Sequence, residues 1–421
     1  MLLTIVFLLL LCVLYFKYKL KILIYWPLLM LLLAFIYPFI TDVNSSISPE
    51  SNLFTVVLTL STRVLLVVIS LILIFKNGSS NLFVSIISFL FYVFVLSLFS
   101  KDLFGSWTRL LIVGSNFLII PASIYLFKDK LNRDFFFKVL TITNVLAIIY
   151  ILFCSYFKIG FVVYGNETLH YGGLFFFGLY FFVFSIPLFL LHLRSKFNPF
   201  LVLIVFAETA LIVLSLKRTY LILLAVFGFF YLILILFSNK RSISLLTFII
   251  LGSSFYYFYE DIVELQETRN KVLTTDSLEE EGRYLEYLVF FDERINQFSY
   301  KSLIGQNPFV NTGDFGKDNV YQLNTRDRSL HSDYAEYLYG IGIFGIILLF
   351  FIFMNLFFVI KSSSKFAFSS PIKRDAFLFC IGYLIVLLIS QGVDGLYVYW
   401  ARTLPFCIIG VLIAEINDTE S

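Results

Sequence analysis

The sequence predicts an all-α integral membrane protein: a polytopic helical bundle of about 12–14 transmembrane helices, with one large extracytoplasmic loop containing short helices. Three observations carry this expectation. Hydrophobic residues make up 60% of the chain and charged residues only 14%, where a soluble domain carries roughly a quarter charged. Apolar runs of about 17–23 residues recur from end to end, the length that crosses a bilayer as helix. The runs are apolar on every side, whereas barrel strands alternate apolar and polar residues.

Taken in order, the runs lie near 1–16, 22–40, 53–75, 82–100, 109–127, 136–157, 171–191, 199–216, 219–238, 243–258, 337–360, 375–392 and 397–415. The first is apolar at once, and its charges (Lys17, Lys19, Lys21) follow it. That order reads as a span and not as a cleavable signal peptide. The chain divides into an N-terminal bundle of about ten spans (1–258), a large polar loop (259–336) and C-terminal spans with a short tail (337–421).

Basic residues cluster in alternate loops: Lys17–Lys21, Lys76, Lys128–Arg133, Arg194–Lys196, Lys240–Arg241 and Lys361–Arg374. The intervening loops, 41–52, 101–108, 158–170, 217–218 and 392–396, are poorer in Lys and Arg. By the positive-inside rule the first set is cytoplasmic. The N-terminus and loop 259–336 then lie outside, and the C-terminus lies inside.

Loop 259–336 holds about half of the acidic residues. Ser277-Leu278-Glu279-Glu280 fits a capping box at a helix start. Leu285, Leu288, Phe291, Ile295 and Phe298 then recur at three- and four-residue steps, one apolar stripe on a helix over 278–300. Such a helix lies on the membrane surface or against the bundle. A turn-rich stretch from Gly305-Gln306-Asn307-Pro308 to Gly316 follows.

Ionisable side chains inside a membrane cost at least roughly 2.5–3.5 kcal/mol each at a helix centre. Those worth attention are Arg63, Glu208, Lys217, Arg218, Asp394 and Arg402. Arg63 and Glu208 read equally as structural partners within the bundle. Lys217-Arg218 sits where one span ends and the next begins, on the outer face. Two readings stand there: basic caps of a tight turn, or a planar guanidinium set to hold a phosphate. Arg283 follows the capping box, where a helix N-terminus favours anions; its plainer reading is a surface ion pair with Glu279 or Glu286. His331 opens His331-Ser332-Asp333-Tyr334-Ala335-Glu336, which runs directly into span 337–360. A histidine there can take a proton near neutral pH. Glu336 receives no role. The four cysteines stand in apolar runs without metal-ligand spacing and read as apolar fillers. No metal, cofactor or nucleic-acid partner is expected.

From His331-Ser332 the chain continues for nine residues to Gly342-Ile343-Phe344-Gly345. This resembles the His-polar, nine-residue, Gly-x-x-Gly pattern of the bacterial O-antigen ligase/polymerase superfamily. Ser215-Leu216-Lys217-Arg218-Thr219 is similar to that family's intramembrane arginine segment, though Lys217 stands where the family often has a small polar residue. Gly282-Arg283 resembles its loop arginine, and Asp394 to Trp400-Ala401-Arg402 its last outer turn. The resemblance implies a metal-independent glycosyltransferase using an undecaprenyl-pyrophosphate-linked glycan. Arg218 and Arg283 would hold the pyrophosphate, with Lys217 and Arg402 as further substrate-binding residues. His331 would be catalytic, activating the acceptor hydroxyl. An O-antigen polymerase is favoured over a ligase that moves the finished polymer onto lipid A-core. The loop helix is a candidate lid, and a chain-length regulator protein and membrane lipids are candidate partners. A lipid-linked glycan flippase is the competing class. Intramembrane charges suit it, but no internal repeat of the transporter kind is present.

Overall fold

A computed structural model describes residues 18–40, 53–78, 80–160, 162–163, 166–172, 179–215, 218–236, 288, 291–292, 296, 298–306, 308, 333–393 and 403–418. The expected spans 1–16 and 243–258, and most of the loop helix expected over 278–300, lie outside these residues. A 3-10 helix, Lys19–Tyr25, leads into α1, Trp26–Ile40. Then come α2 (Leu53–Asn77), α3 (Asn81–Ser97), α4 (Leu103–Leu126), α5 (Lys130–Phe157), α6 (Tyr180–Ser195), α7 (Pro199–Leu214) and α8 (Arg218–Leu236). A five-residue helix, α9 (Tyr300–Ile304), precedes α10 (Asp333–Ala367), α11 (Pro371–Val393) and α12 (Thr403–Ile416).

The helix starts follow local chemistry. Ser80, Asp102, Asp129 and Asn198 each accept a backbone N–H of the turn they precede, as N-cap residues do. Pro199 stands at the start of α7, where its missing N–H costs nothing. Four stretches are long and apolar enough to cross a membrane: Leu60–Asn77, Leu103–Leu126, Lys130–Phe157 and Tyr334–Ala367. Six shorter apolar helices accompany them among the described residues.

Polarity is distributed inside out. Arg63, Glu208, Asn116 and Asn144 are buried, while Phe91, Phe229 and Phe350 are about 60% exposed or more. Water would not tolerate such apolar outer faces over a whole bundle; hydrocarbon does. The fold is that of an all-α membrane protein. The buried Cys154, Cys380 and Cys407 are free thiols in helices, in keeping with apolar filling.

Around α4 pack α2, α3 and α12. Phe117 of α4 meets Phe89 of α3, Phe353 of α10 and Phe406 of α12 edge to face, with centroids 5.5–6.2 Å apart, the favoured arrangement of ring quadrupoles. Helix α11 lies among α10, α12 and α8, and the α6–α7 hairpin joins α8 and α5. A glycine lets α4 and α12 approach. A Cβ on Gly410 would stand 2.5 Å from the Ser123 side chain and 2.9 Å from the Ile120 carbonyl, a small-residue contact of the kind that membrane helices use.

Three details depart from the expectation. In the span placed at 171–191, Tyr171 and Gly172 lie outside any helix and the helix described is Tyr180–Ser195. Before it, Val162–Val163 and Asn166–His170 form a short antiparallel ribbon, with Gly160 bridged to Gly172. The polar Asn166-Glu167-Thr168 favours a turn and strand over helix at that point. Helix α10 is longer than its apolar run, 35 residues, and breaks at Gly342, where φ is 65°.

Candidate functional site

The bundle has two ends with different chemistry. At one, Arg133 pairs with Glu415 at 2.7 Å and with Asp418. It also donates to the carbonyls of Phe127 and Lys128. Lys373 donates to the Asp418 carbonyl, and Arg194 pairs with Asp375 at 2.7 Å. This clasp ties the α4–α5 turn, the end of α6, the start of α11 and the end of α12 together. All its basic residues belong to the set of loops rich in Lys and Arg.

The opposite end gathers the elements around the candidate site. Helix α4 begins there, and its Ser106 hydroxyl donates to the Pro308 carbonyl at 2.8 Å. Arg109, one turn on, pairs with Glu336 of α10 at 3.1 Å. The Glu336 side chain is 7% exposed and that of Arg109 23%, so this pair is mostly withdrawn from water. Glu336, five residues after His331, therefore anchors the start of α10. The Tyr334 hydroxyl adds a second anchor by donating to the Leu388 carbonyl of α11 at 2.9 Å.

Below this start, α9 docks into the break of α10. The Gln306 amide donates to the Tyr339 carbonyl at 3.2 Å, and the Tyr92 hydroxyl of α3 donates to the Ile341 carbonyl at 3.0 Å. Gly305 and Gly342 make this docking a backbone contact. A Cβ on Gly305 would stand 2.4 Å from the Gly340 carbonyl oxygen, and one on Gly342 would stand 2.4 Å from the Gly305 nitrogen. Both glycines also have positive φ, 76° and 65°, a region that L side chains disfavour. Gly342 is the first glycine of the motif read in the sequence, and Gly305 opens the turn-rich stretch.

Of the five residues singled out, only the backbone of Arg218 is described, as the first residue of α8. Its side chain, and Lys217, Arg283, His331 and Arg402 altogether, lie outside the described residues. The level of Arg218 still follows from packing. Phe227 of α8 meets Tyr383 of α11 at 4.8 Å, and Tyr231 meets Phe379 at 6.5 Å. Four residues forward on α8 are four residues back on α11, so the two helices are antiparallel. Arg218 is thus level with the last residues of α11, the helix end on which Tyr334 is anchored. The first described residues of α8 and α10, Arg218 and Asp333, thus lie at one end of the bundle.

The intramembrane charges resolve differently from the paired reading. Arg63 Nη1 donates to Ser115 Oγ (2.8 Å), Asn116 Oδ1 (3.0 Å) and Thr403 Oγ1 (2.6 Å). It joins α2, α4 and the first residue of α12. Among the described residues Glu208 has no hydrogen-bond partner on either oxygen. Arg109 was missed in the sequence because it stands at the edge of an apolar run, where a cation reads as a boundary. Among the described residues no group of three His, Cys, Asp or Glu is placed to hold a metal. Compared with known proteins, the chain matches no family model and no curated sequence.

Proposed function

We propose that the protein is a glycosyltransferase of the bacterial cytoplasmic membrane, a polymerase of O-antigen or related surface polysaccharide. It joins undecaprenyl-pyrophosphate-linked repeat units at the outer face, without a metal. The observation that carries this reading is the common entry point of α8 and α10. Arg218 opens one, His331 stands two residues before the other, and both helices begin beside the end of α11. A planar guanidinium suits a pyrophosphate there, and an imidazole suits a sugar hydroxyl.

In this reading the acceptor hydroxyl attacks the anomeric carbon of the donor sugar. The bond from that carbon to the pyrophosphate oxygen breaks, and the electron pair leaves with undecaprenyl pyrophosphate. Arg218 and Arg283, aided by Lys217 and Arg402, stabilise the charge that develops on the leaving group. His331 takes the acceptor proton. The polyprenyl tail lies along the apolar faces of the bundle. The chain is multi-pass, with the loop 259–336 periplasmic, the N-terminus outside and the C-terminus cytoplasmic.

The test is a gel of surface polysaccharide from a deletion strain complemented with variants. Core carrying a single repeat, with the longer bands missing, is the expected result for the deletion and for Arg218→Ala, Arg283→Ala and His331→Ala. Bare core with long chains held on the carrier would instead make the protein the ligase. Repeats trapped on the cytoplasmic side would make it the flippase. A normal ladder from His331→Ala cells would remove the catalytic assignment, and activity should persist in excess EDTA.

A further inference from the structure

Glu208 is a carboxyl with no exposed surface, and among the described residues neither oxygen has a hydrogen-bond partner. It stands nine residues into α7, about 14 Å from that helix's start at 1.5 Å per residue. That is close to the middle of a hydrocarbon core about 30 Å thick. Nothing in the proposed glycosyl transfer uses it.

A second orphaned oxygen lies at the same level. Asn144 of α5 donates through Nδ2 to the Leu140 carbonyl (2.8 Å) and to Ser185 Oγ of α6 (3.2 Å). The Leu140 bond fixes which end of the amide is nitrogen. Its Oδ1 is then a buried acceptor without a partner among the described residues. The level follows from the α6–α7 hairpin. Ten residues back from Ser195 is Ser185, and ten forward from Pro199 is Thr209. Ser185, and Asn144 bonded to it, are therefore level with Glu208 and Thr209. The face agrees as well: Leu201, Ile204, Val205, Glu208, Thr209 and Ile212 form the buried stripe of α7, while Leu203 and Phe206 are exposed. Helix α7 packs on α6 and α5.

An ionised carboxylate offers only acceptors, and Asn144 Oδ1 is another acceptor. Two orphaned acceptors cannot satisfy each other, and burial of unpaired polar groups is costly. One added positive charge removes the conflict at both. At this level the described segments of the facing helices supply none. Over 139–157, 180–191 and 220–236 they carry no Asp, Glu, Lys, Arg or His. Their titratable groups there are Tyr150, Cys154, Tyr156, Tyr180, Tyr220 and Tyr231, none of which can become a cation, and Tyr171 donates to the Leu211 carbonyl.

We infer that Glu208 and Asn144 form an intramembrane site for a single monovalent cation, a proton or an alkali ion bridging the two oxygens. Intramembrane carboxyls with polar neighbours mark ion paths in other membrane proteins. The site would make the protein sensitive to the ion gradient, a property separate from glycan chemistry.

The experiment uses the full-length protein in lipid nanodiscs, with dicyclohexylcarbodiimide as the probe, since it attacks protonated carboxyls from the apolar phase. At neutral pH, labelling of the Glu208 peptide is expected in wild type and complete loss in Glu208→Gln. Labelling indifferent to sodium or potassium identifies the ligand as a proton; suppression by either identifies an alkali ion. Infrared difference spectra against Glu208→Gln supply a readout that does not depend on reagent access. An acid carbonyl band, or a carboxylate band that shifts on adding the alkali ion, is expected. In Asn144→Leu the band should move to higher frequency as the bridge is lost. A carboxylate band that is unmoved by pH, alkali ion or Asn144→Leu, together with no labelling, would overturn the site. Glycan ladders do not enter the test, so its failure leaves the proposed transfer untouched.

Discussion

Arg109 and Glu336 are the residues on which the start of α10 depends. Exposed pairs contribute about 0.2–1 kcal/mol, while removing one partner of a buried pair costs about 3–5 kcal/mol. With Glu336 nearly buried and Arg109 a quarter exposed, either single alanine variant should lose on the order of 2 kcal/mol. The double variant should lose less than the sum. Thermal unfolding in detergent measures the three values, and strict additivity would show that the pair is not coupled. At Arg218 a lysine should leave glycan extension severely impaired, because an ammonium cannot offer the planar fork; wild-type ladders from Arg218→Lys would refute the bidentate role. The intramembrane Arg63 and Glu208 were legible as special from charge alone. Their surroundings were not, since Ser115, Asn116 and Thr403 come from helices distant in sequence.

The element that orders this end of the bundle is the glycine contact between α9 and α10. Gly305→Ala and Gly342→Ala should each undock α9, because the added carbon would stand at 2.4 Å from backbone atoms that have no rotamer to yield. Each variant should lower the melting temperature by several degrees and expose the Tyr300–Ile304 segment to protease. Unchanged protease resistance in both would show that the contact tolerates a methyl group. The Gly-x-x-Gly pattern was readable as a motif, but its physical basis needed a partner that lies 37 residues earlier. Helix α6 illustrates the opposite difficulty. Hydropathy runs through Tyr171 without a break, whereas Gly172 is bridged to Gly160 beside the ribbon and the helix described is Tyr180–Ser195. Helices with long, unbroken apolar runs, such as α2, α4 and α5, were plain from the sequence because length and composition alone decide them.

For the whole molecule, the separation of the two ends bears on orientation. The clasp of Arg133, Arg194, Lys373, Asp375, Glu415 and Asp418 collects three of the loops that the positive-inside rule assigns to the cytoplasm. Single cysteines at Lys196 and Lys361 should react with a membrane-impermeant maleimide only after cell disruption. Cysteines at Asp102 and Ser299 should react in intact spheroplasts. The reverse pattern would invert the topology and place the candidate site on the wrong face for a periplasmic transfer. The alternation of loops rich and poor in Lys and Arg was visible in the sequence; the ion pairs that bind the rich loops to one another were not.

The break at Gly342 also separates two mechanical references. The 25 residues from Ile343 to Ala367 make a rod of about 38 Å at 1.5 Å per residue, whose apolar part ends before Lys361 and meets the bilayer on its exposed side. The stub from Asp333 to Ile341 is held instead by Arg109, Tyr92, Leu388 and the α9 turn. Its position is set by protein neighbours and not by lipid. Any re-tilting of the rod in a membrane of different thickness would be taken up at the joint, leaving the start of α10 where its protein neighbours hold it.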